Sequence, residues 1–415
     1  MNFGSLPIRV PRAECIFLFL KPLFCHTFFD GNSFEIDTFT NKKAETLKRI
    51  AISVINDLVT DNRVHKVATT LQEMGHDVTL IGRLLPESLP VSRTYNTRRM
   101  NLFLRKGPMF YAEYNTRLFF ALLFSKFNVF VSNDLDTLLP NFIVSKITGG
   151  KLYYDSHEYF TEVPELVDRP EVREKWEKLE KGLLPKVENA YTVCQSIAEA
   201  YRYKYGTYFH VVRNVPERME KFEVPEDKKL DFGGKKIILY QGALNIGRGL
   251  EQMIRAMQYI DNAVFVMVGA GDISVQLQTL THSLKLSEKV KFLGRMSFDE
   301  LKYITVQADL GLSIEEDLGL NYKYALPNKL FDYIQAEIPV LVSNLPEMKK
   351  VVNDYQIGAI LESHQPEIMA RQINEIMNNS EKTAVWKSNL KKAAEELCWE
   401  KEKEVLKSIY SQLRF

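Results

Sequence analysis

The sequence predicts an α/β protein of two Rossmann-like, doubly wound parallel-sheet domains facing each other across a cleft. Three observations lead there. The 415 residues exceed the roughly 300 that a single hydrophobic core serves. Short apolar runs alternate with helical patterns over most of the length, and strands separated by helices build parallel sheets covered on both faces. A polar, proline-bearing stretch at 216–229 interrupts this alternation, which then restarts.

Residues 1–44 carry neither the period of a strand nor that of a helix, and read as a poorly patterned N-terminal extension or a start assigned too far upstream. The first domain is placed at 45–215. In it RIAISVI, 49–55, reads as a buried strand. Val64, Val67, Ala68, Leu71 and Met74 then line one face of a helix that Gly75 ends, and DVTLIGR, 77–83, completes a βαβ unit. Further strands are expected at 128–133, 151–156, 190–194 and 209–215. A hinge at 216–234 closes on Phe232-Gly233-Gly234. The second domain, 235–395, repeats the pattern with strands expected at 235–242, 263–271, 289–295, 308–314, 339–344 and 358–363. Within 396–415 lies a charged helix, 399–413, with Val405, Leu406, Ile409, Tyr410 and Leu413 on one side, long enough to cross back to the first domain.

Composition narrows the function classes. Lys plus Arg number 54 against 53 Asp plus Glu, a net charge of +1, so no whole-chain field draws the protein to nucleic acid or to an anionic bilayer. Cys15, Cys25, Cys194 and Cys398 form no CxxC pair and no zinc or disulfide framework, which points to a reducing, cytoplasmic compartment. The apolar run at 15–20 is broken by Lys21 and Pro22, well short of the about 20 residues of a spanning helix, and no signal peptide is read. One local patch stands out. Arg93, Arg98, Arg99, Arg105 and Lys106 occur with no acidic residue among them, interleaved with Tyr95, Met100, Leu102, Phe103 and Leu104 and followed by Met109, Phe110 and Tyr111. That mixture suits an interfacial surface at the inner face of an anionic membrane; its alternative is that the aromatics are core and the cations line a solvated loop.

In open α/β sheets ligands lie at the carboxyl ends of strands, so the turns after strands are where chemistry is expected. After IILY comes Gln241-Gly242-Ala243-Leu244-Asn245-Ile246-Gly247-Arg248-Gly249, a glycine-containing turn with a cation at the start of a helix, which is a phosphate-attracting arrangement. In Leu326-Pro327-Asn328-Lys329-Leu330-Phe331-Asp332-Tyr333 the proline sets the helix start and Lys329 stands in the first turn, a second anion site. Asp332, one turn on, is placed to accept ribose hydroxyls; the bland alternative is an ion pair between Lys329 and Asp332.

These residues carry a resemblance. From Ile50 to about Tyr410 the chain resembles glycosyltransferase family 4, the group 1 glycosyltransferases, whose fold is GT-B. The matching words are Asn62-Arg63-Val64, Gly75-His76-Asp77-Val78, Tyr154-Asp155-Ser156-His157-Glu158, Gly247-Arg248-Gly249-Leu250-Glu251, Gly269-Ala270-Gly271, Phe292-Leu293-Gly294, Pro327-Asn328-Lys329 with Phe331-Asp332-Tyr333, and Pro339-Val340-Leu341-Val342-Ser343. The resemblance implies a donor-binding set of Gly242, Arg248, Gly249, Gly294, Glu316, Asn321, Asn328, Lys329 and Asp332, with His157, Arg248 and Lys329 catalytic and Asn62, Arg63 and Asp134 on the acceptor side. Arg248-Gly249 replaces the family's Lys-Gly pair on the diphosphate, and Ala243 stands where a further Arg is frequent. Of the family's paired glutamates the second matches Asp332 and the first falls on Tyr324, leaving Glu315, Glu316 or Asp317 to grip the donor sugar. The glycine-rich first turn of many relatives is replaced by NDLVTDN, 56–62.

The expected activity is therefore transfer of a sugar, with retention, from a nucleotide-sugar donor to a hydroxyl acceptor. The acceptor is expected to be a saccharide or lipid-linked glycan of cell-surface synthesis, and no metal, other cofactor or nucleic acid is expected to take part. A catalytically silent GT-B scaffold subunit and a GT-B sugar-nucleotide epimerase are the alternatives. A nicotinamide oxidoreductase is disfavoured because no G-x-G-x-x-G follows the first strand of either half. Asp134-Leu135-Asp136 is a D-x-D, as in metal-dependent GT-A transferases, but about one is expected by chance in a chain of this composition.

Overall fold

The computed structural model describes residues 47–413, apart from Thr60 and Asp168; the extension at 1–44 lies outside the described residues. Among the described residues thirteen strands form two all-parallel sheets. The first holds β1 (Arg49–Asp57), β2 (Asp77–Leu84), β3 (Asn96–Asn101), β4 (Val129–Asn133), β5 (Lys151–Ser156), β6 (Asn189–Thr192) and β7 (His210–Val211), in the order β3-β2-β1-β4-β5-β6-β7. The second holds β8 (Lys236–Gln241), β9 (Ala263–Val268), β10 (Val290–Gly294), β11 (Leu310–Ser313), β12 (Val340–Val342) and β13 (Gly358–Ile360), in the order β10-β9-β8-β11-β12-β13. Each sheet reverses its winding beside its first strand, between β1 and β4 and between β8 and β11. Crevices open at the carboxyl ends of strands at such points.

The central strands are buried on both faces, as continuous apolar runs require. Ile50 and Ile52 face one layer and Ala51 the other, and the register pairs Ile50 with Val78 on one side and Val129 on the other. Asp61 caps the helix Asn62–Glu73 by accepting from Val64 N, and its apolar face, Val64, Val67, Ala68 and Leu71, is fully buried. In the second domain the six residues of β9 are all buried, and the strand ends where Gly269 turns to φ 142°. A Cβ at Gly269 would lie 1.9 Å from the carbonyl oxygen of Gly242, so only glycine lets these two turns meet.

The carboxyl-terminal helices serve different domains. Ser380–Glu396 packs on the second sheet through Trp386, Leu390 and Ala393, whereas Trp399–Tyr410 joins the core beneath the first sheet through Trp399, Leu406, Ile409 and Tyr410. Tyr410 stacks on Tyr153 with ring centroids 4.2 Å apart, and its hydroxyl lies 3.2 Å from that of Tyr191. Trp399 N donates to Pro216 O at 2.8 Å and Glu402 accepts from Arg213 N and Nε, which fixes the crossing beside the linker.

Two elements differ from the sequence reading. β3 falls inside the basic segment: Arg98 and Arg99 ride an edge strand, where charges are tolerated and apolar alternation is not required. Tyr95, Met100 and Phe110 from that segment are core, and Arg99 pairs with Asp57, while Phe103, Leu104 and Met109 are exposed. β7 has two residues rather than seven: its ladder to β6 ends where Val212 N donates to Thr192 O at 2.8 Å, and Val212 and Val215 are buried as the chain leaves the sheet.

Candidate functional site

A cleft of about 880 Å³ is lined by both domains, with His157, Glu158 and Glu165 from the first and Gln241, Gly242, Arg248, Lys329 and Asp332 among those of the second. Its size is that of a small-ligand site. The second-domain wall is built from the carboxyl ends of β8 and β9 and the start of the helix Asn328–Gln335, beside the switch point between β8 and β11.

Arg248 comes from the turn after β8 and Lys329 from the first turn of the helix Asn328–Gln335, which Pro327 starts. They converge on Glu315, two residues past β11. Lys329 Nζ donates to Glu315 Oε1 at 2.8 Å, Arg248 Nη1 reaches the same oxygen at 3.4 Å, and Ser313 Oγ donates to Oε2 at 2.9 Å. Burial alone would protonate Glu315, but the two cations outweigh it and hold its carboxyl below the usual range; burial would likewise discharge Lys329, and Glu315 outweighs that. Each cation also lies over an aromatic face, Lys329 Nζ 3.9 Å from the ring centre of Tyr240 and Arg248 Cζ 5.1 Å from that of Tyr322. Arg248 Nε is buried and has no hydrogen-bond partner. A pair of preset cations with an unmet donor is a site for an oxyanion with several oxygens.

Asp332 does not pair with Lys329. Its carboxylate accepts from Gln241 Nε2 at 2.9 Å, and burial raises it to about 6 despite that bond. Gln241 is itself oriented by Thr305 Oγ1, which donates to its Oε1 at 2.8 Å. Gly242 and Asn328 are exposed at the cleft, and Gly242 brings its backbone beside Lys329 Nζ. Asn321 lines the cleft but also joins the domains: its Oδ1 accepts from Tyr159 N at 3.0 Å and its Nδ2 donates to Glu158 Oε2 at 3.3 Å.

Three members of the expected donor set do not line the cleft. Gly249 caps the helix Leu250–Ala256 at φ 69°, where a Cβ would meet Ile314 O at 2.4 Å, so it shapes the turn from behind. Gly294 accepts from Gly269 N through its carbonyl. Glu316 donates its N–H to Gly247 O and lies outside the lining, whereas its neighbour Glu315, named only as one of three sugar-gripping candidates, sits between the cations.

On the first-domain side His157 follows β5 and lines the cleft. Its N–H donates to Asp134 Oδ1 at 2.8 Å, its Nδ1 is 3.5 Å from Asp134 Oδ2, and its Nε2 is 3.4 Å from Asp155 Oδ2 and 3.1 Å from Asn133 Oδ1. Burial disfavours the imidazolium, but the two carboxylates outweigh it and raise His157 to about 9, so it is a cation at neutral pH rather than a base. Asp134 adopts φ 56°, a backbone state rare outside glycine, which turns its carboxylate onto His157. The acceptor-side expectation is corrected for Arg63. It is buried and spends its guanidinium on Asp155, through Nε and Nη2, and on Val212 O, so nothing of it reaches the cleft. Asn62 begins the same helix and is also outside the lining. Among the described residues no group of three or more His, Cys, Asp or Glu is gathered as for a metal ion, and no helix is long and apolar enough to cross a membrane.

Gln241 and Glu158 were not foreseen as site residues. Gln241 ends a strand, which the strand-end rule could have flagged; Glu158 follows His157 in a quoted motif, but only the fold turns it toward Asn321.

Comparison with known proteins agrees with the geometry. Residues 223–393 match the family described as "Glycosyl transferases group 1". An uncharacterized glycosyltransferase of Methanocaldococcus jannaschii is 28% identical over 150 residues, 35% of this chain and 36% of the relative; the curated matches each span half or less of their own length. Among solved structures, sucrose-phosphate synthase of Thermosynechococcus elongatus superposes with a TM-score of 0.74 at 16% identity, covering 88% of this chain and 99% of that one. HepE of Anabaena in complex with UDP-glucose does so with a TM-score of 0.69 at 13% identity, covering 88% and 100%. The two-sheet architecture is GT-B, and the group 1 resemblance read from the motifs is borne out.

Proposed function

From a second domain that matches the group 1 glycosyltransferases and an overall GT-B fold, we propose that this protein is a retaining glycosyltransferase. It takes a sugar from a nucleotide donor and passes it to a hydroxyl acceptor, without a metal. The observation that carries the reading is the convergence of Arg248 and Lys329 at the switch point of the second sheet, facing His157 across the cleft. The difficult step is departure of the diphosphate. As the anomeric carbon–oxygen bond opens, negative charge builds on the leaving oxygen and the sugar becomes oxocarbenium-like. Cations fixed beforehand stabilise that charge without reorganising. Asp332 accepts the ribose hydroxyls, and cationic His157, its ring nitrogens held by Asp134 and Asp155, removes no proton. With retention, the acceptor hydroxyl attacks on the face the diphosphate leaves, the new carbon–oxygen bond forming as the anomeric bond to the diphosphate breaks, and the hydroxyl proton passes to the departing diphosphate oxygen. HepE binds UDP-glucose, which makes a uridine donor the first to test. Calorimetric titration with UDP-, GDP-, ADP- and CMP-sugars tests the reading; binding of none of them would overturn it.

The acceptor is proposed to be held at a membrane surface in cell-surface glycan synthesis. Support comes from the helices Pro108–Leu123 and Leu138–Thr148, which pack together. Met109 and Phe120 are exposed on one helix and Leu139, Ile143 and Ile147 on the other, with Phe103, Phe124, Arg117, Lys126 and Lys146 around them. Exposed apolar side chains on two packed helices with cations beside them suit a peripheral membrane-binding face. Flotation with phosphatidylglycerol liposomes checks it: association at low salt, lost in Phe120→Ser, Phe124→Ser, is expected, and no association would return the acceptor to solution.

A further inference from the structure

The two cations assigned to the donor share a carboxylate that nothing in the transfer chemistry calls for. Glu315 is fully buried, and its Oε1 is engaged by Lys329 at 2.8 Å and Arg248 at 3.4 Å while Ser313 holds Oε2 at 2.9 Å. The site therefore carries one net positive charge rather than two. A carboxylate beside an anion site opposes the anion, so its presence there costs donor affinity.

We propose that Glu315 is a positioning residue and built-in counter-anion: it presets the two cations and holds the affinity for the departing nucleoside diphosphate low enough for release. The proposal rests on the reading of Arg248 and Lys329 as the diphosphate cations. The first half follows from the geometry. Two like charges drawn to one cavity repel, and Lys329, buried over the Tyr240 ring, has no other carboxylate partner among the described residues. Glu315 makes the converged arrangement stable before any ligand arrives. The second half follows from charge. When the sugar leaves, the diphosphate gains a negative charge, so an uncompensated pair of cations would grip product harder than substrate. A fixed carboxylate weakens both, and weakens the more highly charged product more. Binding that persists after the chemical step slows turnover, and Glu315 removes part of it.

The test is Glu315→Gln in the full chain, titrated with UDP and UDP-glucose, or with the nucleotide pair the wild-type protein binds best. UDP affinity is expected to rise about tenfold, UDP-glucose affinity by less, with kcat and KM both falling. Glu315→Asp, whose carboxylate is one methylene further from the cations, is expected to lie between wild type and Gln in UDP affinity, and carries the test if Glu315→Gln does not fold. Presetting without the counter-charge would make removal of Glu315 weaken binding, so unchanged or weaker UDP binding in both variants overturns the proposed control of release and leaves the donor reading standing. A wild-type protein that binds no nucleoside diphosphate overturns both.

Discussion

Both sheets end in a cluster of cations and carboxylates, and the two clusters are differently finished. At the carboxyl end of β5 in the first sheet Arg63 and Asp155 satisfy each other almost completely, through three guanidinium contacts on one carboxylate and a fourth on Val212 O. At the second, Arg248 is held by one contact to Glu315 and keeps a buried Nε without a partner. Residue type does not separate these clusters; saturation does. A closed ion pair has no donor left to offer, whereas a cation with a donor to spare beside a cleft can still take an anionic ligand.

That contrast can be broken first at Arg63. Arg63→Ala leaves the buried Asp155 with only its longer 3.4 Å contact to His157, so the protein should lose about 3–5 kcal/mol in urea unfolding. A loss under 1 kcal/mol would show that Asp155 is not held by this pair. Arg248→Ala should instead leave the urea midpoint within error and lower turnover by a factor on the order of 100, about 3 kcal/mol of transition-state stabilisation. Wild-type turnover in that variant would remove the second cluster from the chemistry. A third measurement sharpens the role of Asp332. A 2′-deoxy donor leaves its carboxylate unpaired and should bind about 10-fold to 100-fold more weakly than the ribose form. Because burial raises Asp332 to about 6, the discrimination should shrink as pH falls below that value. Equal binding at pH 8 would return Asp332 to a structural role beside Gln241.

His157 gives a smaller effect of defined sign. Its pKa is raised in the folded state to about 9, so the stabilisation from Asp134 and Asp155 is present below the unfolded value near 6.5 and is lost as pH rises through 9. The wild-type unfolding midpoint should therefore fall between pH 6.5 and 9.5 more than that of His157→Gln; parallel curves would mean the imidazole is neutral throughout. The smallest expected change is none at all: turnover should survive EDTA, and its abolition, with recovery on adding Mg²⁺ or Mn²⁺, would make the cations of the second cluster insufficient alone.

The alternation of apolar runs and helices made the two parallel sheets legible, because buried strands announce themselves as continuous Val, Ile and Leu. β3 was not legible, since Thr97, Arg98 and Arg99 on an edge need no apolar face. Arg248 and Lys329 could be found because each sits at a strand end or helix start defined by local chemistry. The role of Glu315 could not, as its partners lie 14 and 67 residues away in the chain. Arg63 was misplaced for the same reason: Asp155, 92 residues on, absorbs it, and no periodicity reports such a pairing.

The helix Trp399–Tyr410 completes the hydrophobic layer beneath β1, β4 and β5, although almost the whole second domain is synthesised between that layer's two parts. As the chain emerges in order, the first sheet must wait with Tyr153 and Tyr191 uncovered until Tyr410 arrives, while the second sheet can close its own cores earlier. The earlier-made half is thus the later one to be finished, and the interval in which it stays open to chaperones or to misassembly is set by the translation time of its partner.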